Sequence, residues 1–240
     1  MPEPTILYED KDVLAVNKPA GLVVHSDGKT KEKTLADWVL LNYSKIKTVG
    51  EPGRDTAGKV IYRPGIVHRL DRETSGVILI AKNQKSFESL KSQFQEHQIE
   101  KTYHAFVYGE MKNKEGVIER PIGRSNKDFR MWSAQRGARG ELRDAVTHYK
   151  VLNKGLGYSF IEVKPKTGRT HQIRVHFKAI SYPLVADKMY APKTENKLGF
   201  KRLALHSLEV SFKGLKGKKQ TVSAPYPNDF KKAIKVLQTA

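Results

Sequence analysis

The sequence predicts a mixed α+β fold with many antiparallel strands, and we assign residues 1–240 to a single domain. Three observations support this prediction. Several segments alternate apolar and polar residues as strands do. Other segments repeat apolar residues at helical spacing behind a capping residue. No internal repeat, low-complexity segment or convincing linker divides the chain of 240 residues.

The N-terminal part alternates strand and helix signals. Residues 6–8 and 13–16 predict a strand pair joined by a charged turn. Thr34 is placed to cap one helix, and Asn83 is placed to cap a second. The short apolar run 76–81 predicts a buried strand between these helices.

The second half predicts more strands and two more helices. Thr170 is the expected cap of a helix that ends before Pro183, and residues 229–238 predict a final helix. The polar, basic segment 124–143 predicts an arm or a long hairpin. The predicted strands of this half lie at residues 103–108, 146–151, 158–163, 203–205 and 209–212.

The charge balance of the chain favours a polyanionic partner. Forty-four Lys and Arg against 25 Asp and Glu give a net charge of +19. Each phosphate contact releases counterions and adds binding free energy without sequence readout, so nucleic acid is the favoured partner. A basic surface without a specific partner and attraction to anionic lipid are the alternatives. The cations expected to bind phosphates in the arm are Arg124, Lys127, Arg130, Arg136, Arg139 and Arg143.

The sequence excludes several classes of site. It contains no cysteine, so disulfides, thiolate zinc sites and a cysteine nucleophile are absent. The N-terminal residues lack the basic and apolar regions of a signal peptide, and no apolar run reaches the length of a membrane span. We therefore expect a soluble cytoplasmic protein that does not bind a membrane.

The segment from His68 to Gly76 places a carboxylate, Asp71, between Arg69 and Arg72. The positive field of the two guanidinium groups favours the ionised carboxylate. Because Gly76 marks the start of the apolar strand, we expect Asp71 at the rim of a rigid core. The alternative is a structural role, in which Asp71 caps a turn and pairs with a neighbouring arginine.

A second polar constellation covers residues 166–176, where a glycine-bearing loop precedes a predicted helix. Free backbone N–H groups in the first turn of a helix can bind anions, and Arg174 follows one turn inside. A solvated basic face is the alternative. His171 and His176 are five residues apart and do not share a helix face as paired metal ligands would. Tyr103, at the start of a strand, is either a base-stacking platform or a core aromatic residue.

Together these segments resemble the RluA-type pseudouridine synthases. The resemblance implies a pseudouridine synthase fold, in which helices flank a long, bent, mainly antiparallel mixed sheet and the active cleft crosses its middle. It extends from about residue 6 to residue 230, and four motifs occur in family order. These motifs are Asn17 to His25, His68 to Gly76, Lys101-x-Tyr103 and Gly168 to Arg174. Shorter matching stretches lie at residues 121–123, 145–149 and 203–207.

The resemblance also implies an activity, the isomerisation of uridine to pseudouridine in ribosomal or transfer RNA. It implies that Asp71 is the nucleophile, that Arg174 pairs with Asp71 and that Tyr103 stacks on the target uracil. Whether Asp71 attacks the sugar or the base stays open. Arg69 is the candidate for the space that the extruded base vacates. The predicted substrate-binding residues are Arg69, Lys101, Lys166, Arg169, His171, Arg124, Arg130, Arg136 and Arg139.

No cofactor and no metal are expected, because breaking the N1–C1′ bond and joining C5 to C1′ needs neither a redox partner nor an energy source. Structured RNA is the expected partner, and we expect a monomer without an obligatory protein partner. Two alternatives belong to other functional classes. One is a noncatalytic RNA-binding or assembly factor that kept the fold, and the other is a metal-dependent hydrolase that uses the histidines.

The sequence departs from the family pattern in two places. Ala186-Asp187 stands where relatives often have Gly-Asp, and we expect the added methyl group to matter little. The chain also has no room before its catalytic region for the small S4-like RNA-binding module that many relatives carry. We therefore expect a stand-alone catalytic domain.

Overall fold

A computed structural model describes residues 3–26, 32–54, 58, 60–61, 63–128, 130–192 and 194–239. Four α-helices and fourteen strands lie within these residues. The helices are α1 (Leu35–Asn42), α2 (Gln84–Gln95), α3 (Gln172–Ala179) and α4 (Asn228–Gln238). The strands are β1 (Thr5–Glu9), β2 (Val13–Lys18), β3 (Gly53–Arg54), β4 (Val60–Ile61), β5 (Ser75–Ala81), β6 (Glu100–Tyr108), β7 (Glu115–Glu119), β8 (Ile122–Arg124), β9 (Trp132–Ser133), β10 (Arg139–Arg143), β11 (Val146–Gly155), β12 (Tyr158–Pro165), β13 (Leu205–Lys213) and β14 (Lys219–Ser223).

The chain divides into two compact units. The first contains Met1–Glu100 and Ser207–Pro225, and the second contains Lys101–His206 and Tyr226–Ala240. The assignment of all 240 residues to one domain stays a prediction.

In the first unit the strand order is β1-β2-β5-β13, with β14 paired to β13. Strand β5 is buried along its whole length, which explains its unbroken apolar sequence. Helix α2 presents Phe87 and Leu90 to a core that includes Val77 and Leu79 of β5. Thr34 and Asn83 both form capping boxes at the starts of α1 and α2, as the sequence predicts.

In the second unit the antiparallel order is β6-β12-β11-β7. Residues alternate between the two faces of β6, so neighbouring side chains join different cores. Ala105 and Val107 pack with Phe177 of α3, whereas Phe106 packs with Phe230 of α4. Strands β8, β9 and β10 form a separate three-stranded sheet in the order β10-β8-β9.

Two predictions of local structure are wrong. Thr170 does not cap α3, because the cap is His171, with a left-handed φ of 56° and no side-chain capping bond. The separate strands predicted at 203–205 and 209–212 are one strand, β13. Buried Ser207 interrupts the apolar pattern, and its hydroxyl donates to the Val77 carbonyl at 3.2 Å.

The mixed α+β class predicted from the sequence is confirmed by these elements. None of the described helices is long and apolar enough to cross a membrane.

Candidate functional site

Asp71 lies in a turn immediately before the buried strand β5. The Thr74 N–H donates to the Asp71 carbonyl oxygen at 3.1 Å and closes this turn. Leu70, the preceding residue, is buried, whereas Asp71 itself is half-buried. The carboxylate is therefore carried at the rim of a packed core, as the sequence predicts.

A buried lysine holds the Asp71 turn in place. Lys18 is 0% exposed, and its ammonium donates to the carbonyl oxygens of Pro19, Leu22 and Arg72 at 2.9, 2.8 and 3.1 Å. The Gly21 N–H also donates to the Arg72 carbonyl oxygen, at 2.8 Å. Because Arg72 follows Asp71 directly, these bonds join the segment after β2 to the turn. Hydrogen bonds from a charged donor contribute more than neutral ones, so Lys18 makes the turn rigid.

His68 fixes the other side of the same turn. Its Nε2 accepts a hydrogen bond from the Leu79 N–H at 2.8 Å. Its ring stacks on Phe94 of α2, with the ring centroids 4.6 Å apart. The segment that carries Asp71 is thus attached both to the central strand β5 and to the helix that covers it.

The glycine at the start of β5 is required by the geometry. Gly76 has a φ of 112°, and a Cβ at this position would lie 2.1 Å from the Ser207 carbonyl oxygen. No other residue type fits both conditions. The close approach of the two backbones fixes the position at which β5 begins, and with it the turn of Asp71.

The two arginines that flank Asp71 differ in their contacts. Arg69 is exposed. The Arg72 Nη2 donates to the Glu32 carboxylate at 2.7 Å, and both side chains of this pair are about half exposed. Arg72 therefore directs its charge to Glu32.

In the second unit, Gln172 organises the loop between β12 and α3. Its Oε1 accepts from the Thr167 hydroxyl at 2.7 Å and from the Arg169 N–H at 3.0 Å. Its Nε2 donates to the Val146 carbonyl oxygen at 3.0 Å and to the Thr147 hydroxyl at 2.9 Å. Gln172 is almost fully buried, so this one side chain joins the loop to β11. Gln172 lies within the motif from Gly168 to Arg174, but its residue type alone indicates no role.

Lys101 and Tyr103 lie on one face of β6, because residues two apart in a strand point to the same side. Tyr103 is half-buried and packs against the core that contains Ile173 of α3. The Lys101 ammonium donates to the Thr167 carbonyl oxygen at 3.2 Å, in the loop that Gln172 organises. Burial lowers the pKa of Lys101 to about 8. The two predicted residues thus converge on the loop before α3.

Arg174 forms a buried ion pair with Asp187. The Arg174 Nε and Nη2 donate to the two carboxylate oxygens of Asp187, each at 2.8 Å. Asp187 is 1% exposed, and its Oδ1 also accepts from the backbone N–H groups of Met189 and Tyr190. This bidentate pair aims the guanidinium. A guanidinium has five N–H donors, so the predicted pairing of Arg174 with Asp71 is compatible with this bond and stays a prediction.

Tyr190 connects Arg174, His171 and the arm. The Arg174 guanidinium carbon lies 4.8 Å from the centroid of the Tyr190 ring. The Tyr190 hydroxyl shares a hydrogen bond with the His171 Nδ1 at 2.8 Å and accepts from the Trp132 N–H at 3.1 Å. The first turn of α3 and the start of β9 are therefore held by one phenol group. His171 adopts a left-handed φ of 56°, a strained backbone that is common at functional sites.

His171 and His176 do not form a joint site. The His176 Nε2 donates to the Arg120 carbonyl oxygen at 3.0 Å, and burial lowers the pKa of its imidazole. No group of three His, Asp or Glu among the residues that the structure describes could hold a metal ion. The contacts of the two histidines therefore give no support to the hydrolase alternative.

Ala186 also has a left-handed backbone, with a φ of 56°. It directly precedes the buried Asp187, at the position where relatives often have glycine. A methyl group in this region of φ is unfavourable by roughly 1 kcal/mol. The structure thus gives a physical reason for the added methyl group to matter, contrary to our expectation from the sequence.

The predicted arm is the three-stranded sheet of β8, β9 and β10. Every residue of β10 is exposed, and the Arg124 guanidinium carbon lies 4.0 Å from the centroid of the Trp132 ring. Arg130 forms a bidentate pair with Asp128, in which Nε donates to Oδ1 and Nη2 donates to Oδ2, and Arg143 pairs with Glu141. Phe129, within the predicted arm, lies outside the described residues. The predicted binding residues that are exposed are Arg69, Arg124, Arg130, Arg136, Arg139 and Lys166.

The predicted site residues thus fall into two sets. Asp71 and Arg69 lie in the first unit, and the other predicted residues lie in the second. The sequence profile described as RNA pseudouridylate synthase matches residues 12–179, which include Asp71, Lys101, Tyr103 and Arg174.

The chain belongs to the RluA-type RNA pseudouridylate synthase family.

Comparison with individual proteins agrees with this assignment. An uncharacterized RNA pseudouridine synthase of Bacillus subtilis is 36% identical over 234 residues, which are 97% of this chain and 72% of that protein. The ribosomal large subunit pseudouridine synthase D of Zymomonas mobilis is 35% identical, again over 97% of this chain and 72% of that protein. The solved structure of human RNA pseudouridylate synthase domain containing 1 has a TM-score of 0.73 and 26% identity, and the alignment covers 94% of this chain and 84% of that one.

Family membership confirms the predicted fold and enzyme class, so the chain is a pseudouridine synthase. The sequence missed three side chains that position the site: Lys18, Gln172 and Asp187. Lys18 and Gln172 lie within recognisable motifs, but Lys18 binds carbonyl oxygens and Gln172 binds both backbone groups and threonine hydroxyls, and these partners cannot be read from residue types. Asp187 follows the left-handed Ala186, and a buried carboxylate there needs a cation such as Arg174.

Proposed function

We propose that this synthase isomerises uridine in large-subunit ribosomal RNA and that Asp71 is its nucleophile. The observation that carries the proposal is the fixed turn of Asp71, held by Lys18 on one side and by His68 on the other. A carboxylate can attack while anionic and can also leave again, which a reaction with a transient bond requires. The choice between attack on the sugar and attack on the base stays open.

Two observations support the proposed RNA target, the net charge of the chain and the name of one relative. The net charge of +19 suits a large polyanion. The relative from Zymomonas mobilis is named for the large ribosomal subunit, which favours this RNA over transfer RNA. We place the reaction in the cytoplasm.

The remaining residues receive roles in binding. Tyr103 stacks on the extruded uracil, since stacking of a base on an aromatic ring contributes roughly 1–3 kcal/mol. Arg174, aimed by Asp187, pairs with Asp71, and Arg69 occupies the space that the base leaves. The exposed cations of β8 to β10 hold phosphates, because extrusion of the base costs a few kcal/mol that phosphate contacts offset.

Mapping of pseudouridine tests both the reaction and the substrate. Total RNA is compared between wild-type cells and cells that lack the gene, with carbodiimide chemistry to detect each pseudouridine. We expect one or more sites in large-subunit RNA to disappear. The wild-type gene and Glu88→Gln, which changes an exposed carboxylate of α2, restore the sites, whereas Asp71→Asn does not.

Binding of the RNA separates catalysis from folding. We expect purified Asp71→Asn protein to bind the target transcript within a few-fold of wild type. Full restoration of the modification by Asp71→Asn overturns the role of Asp71. Loss of sites in transfer RNA alone overturns the proposed substrate, and unchanged pseudouridine throughout total RNA leaves only a noncatalytic role.

A further inference from the structure

Lys101 is an incompletely satisfied cation in the second unit. An ammonium group has three N–H donors. The described hydrogen bond of Lys101 is the one to the Thr167 carbonyl oxygen, at 3.2 Å. Among the described residues no carboxylate forms an ion pair with it. A partly buried cation with so few partners is held at the site for its chemistry or for a ligand.

The neighbours of Lys101 are rigid. Strand β12 pairs with β6, so that Val163 lies opposite Tyr103, and the chain reaches Thr167 only four residues later. Gln172 then fixes Thr167 through its hydroxyl. The Lys101 ammonium and the Tyr103 ring are therefore carried on the same face of one strand, beside one fixed loop. A group on rigid elements is suited to act on a base that stacks on Tyr103.

The proposed reaction requires a proton acceptor. After the N1–C1′ bond breaks, the electron pair stays on N1 of the uracil. When C5 bonds to C1′, C5 still carries its hydrogen, and a base must remove that proton to restore the C5–C6 double bond. N1 takes up one proton, so the net reaction is a transfer of a proton from C5 to N1.

We propose that the neutral amine of Lys101 accepts the C5 proton. This inference rests on the proposed function and adds a catalytic residue to it. The Nζ–H bond forms with the lone pair of the amine, the C5–H electron pair returns to the ring, and the ammonium later releases its proton to N1 or to water. With a pKa of about 8, roughly a tenth of Lys101 is neutral at pH 7, compared with far less for an ordinary lysine.

Single-turnover rates between pH 6 and pH 10 test this role on a large-subunit RNA transcript that carries the mapped uridine. If proton removal limits the rate, the wild-type rate rises with pH and levels off above about pH 8. Lys101→Arg keeps the positive charge but cannot lose it, so we expect at least a 100-fold lower rate without this rise. Lys150→Ala, which removes an exposed lysine of β11, keeps the wild-type profile.

Two further measurements separate proton transfer from binding. Added primary amines restore part of the rate of Lys101→Ala, and the more basic amines restore more. With 5-fluorouridine in the transcript, C5 carries no proton. We therefore expect Lys101→Ala to form the rearranged fluorinated product within about threefold of the wild-type rate, followed by mass spectrometry.

Equal loss of rate by Lys101→Ala on both transcripts, or a wild-type pH profile in Lys101→Arg, overturns the inference and leaves the proposed function intact. Absence of pseudouridine from the wild-type reaction overturns the proposed function itself. Urea unfolding of each variant shows that a lost rate does not come from a lost fold.

Discussion

The loop that carries Asp71 and the loop that precedes Arg174 both depend on a lysine, but in different ways. Lys18 is completely buried and donates to three carbonyl oxygens. Lys101 is partly buried and donates to one. Three bonds use all the donors of an ammonium group, whereas one bond leaves capacity for a substrate. The comparison indicates that the first lysine supports structure and that the second is available for chemistry.

The backbones of the Asp71 region and the Arg174 region also differ, in the residue types that adopt left-handed conformations. The Asp71 region assigns its left-handed positions to glycine, at Gly21 with a φ of 89° and at Gly76 with a φ of 112°. The Arg174 region places His171 and Ala186 in this conformation, each with a φ of 56°. Side chains in left-handed backbone are strained, so the second region stores conformational energy that the first avoids. Strain of this kind persists only where surrounding bonds hold it, as Tyr190 holds His171.

The largest effect that the comparison predicts is at Lys18. Lys18→Met leaves three carbonyl oxygens without their charged donor, two of them in the segment after β2 and one in the Asp71 turn. We expect the free energy of unfolding to fall by about 3–5 kcal/mol, because each buried acceptor that is left without a donor costs about 1–3 kcal/mol. Urea unfolding followed by circular dichroism measures this change.

Lys82→Met is the control for Lys18, because Lys82 forms a partly exposed pair with Glu9 at 2.6 Å. We expect it to change the stability by less than about 1 kcal/mol. A loss of less than about 1 kcal/mol in Lys18→Met would contradict the structural role of this lysine and remove the distinction between the two loops.

The sequence predicted the parts of the molecule that depend on near neighbours. Thr34 and Asn83 cap their helices through bonds that reach three residues ahead, so their pattern is visible in the sequence. The prediction at Thr170 failed because His171 takes a left-handed conformation, which residue type alone disfavours.

The candidate site was predicted from motifs, but the contacts that hold it were not. Asp71, Tyr103 and Arg174 stand in recognisable stretches within the residues that match the family, and their roles stay predictions. Lys18 bonds a carbonyl 54 residues away, and a carbonyl group carries no signature in the sequence. The ion pair of Arg174 with Asp187 could not be predicted either, because each residue has other possible partners in the sequence.

A smaller effect is expected at Ala186, and it tests whether the backbone of the Arg174 region is strained. Ala186→Gly removes the methyl group from a left-handed residue, so the free energy of unfolding should rise by about 0.5–1 kcal/mol after the greater entropy of unfolded glycine is offset. Ala36→Gly within α1 is the control and should lower the stability by about 1 kcal/mol. A loss of stability in both variants would show that Ala186 is not strained.

The smallest effect is expected for the stability of Lys101→Met at pH 7. The variant loses one hydrogen bond of 3.2 Å, which lowers the stability, but it also removes a partly buried cation, which raises it. We expect a change within about 0.5 kcal/mol in urea unfolding.

The pH dependence of the free energy of unfolding gives a sharper measurement. Folding lowers the pKa of Lys101 to about 8 from its ordinary value of 10.5. The unfolded chain therefore binds more protons between these values, and the contribution of Lys101 makes wild-type stability rise as the pH increases from 8 to 10.5. Lys101→Met lacks this contribution, so the difference between wild type and variant should change in favour of wild type across that window. A constant difference would mean that Lys101 has an ordinary pKa, and the contrast with Lys18 would then rest on hydrogen bonds alone.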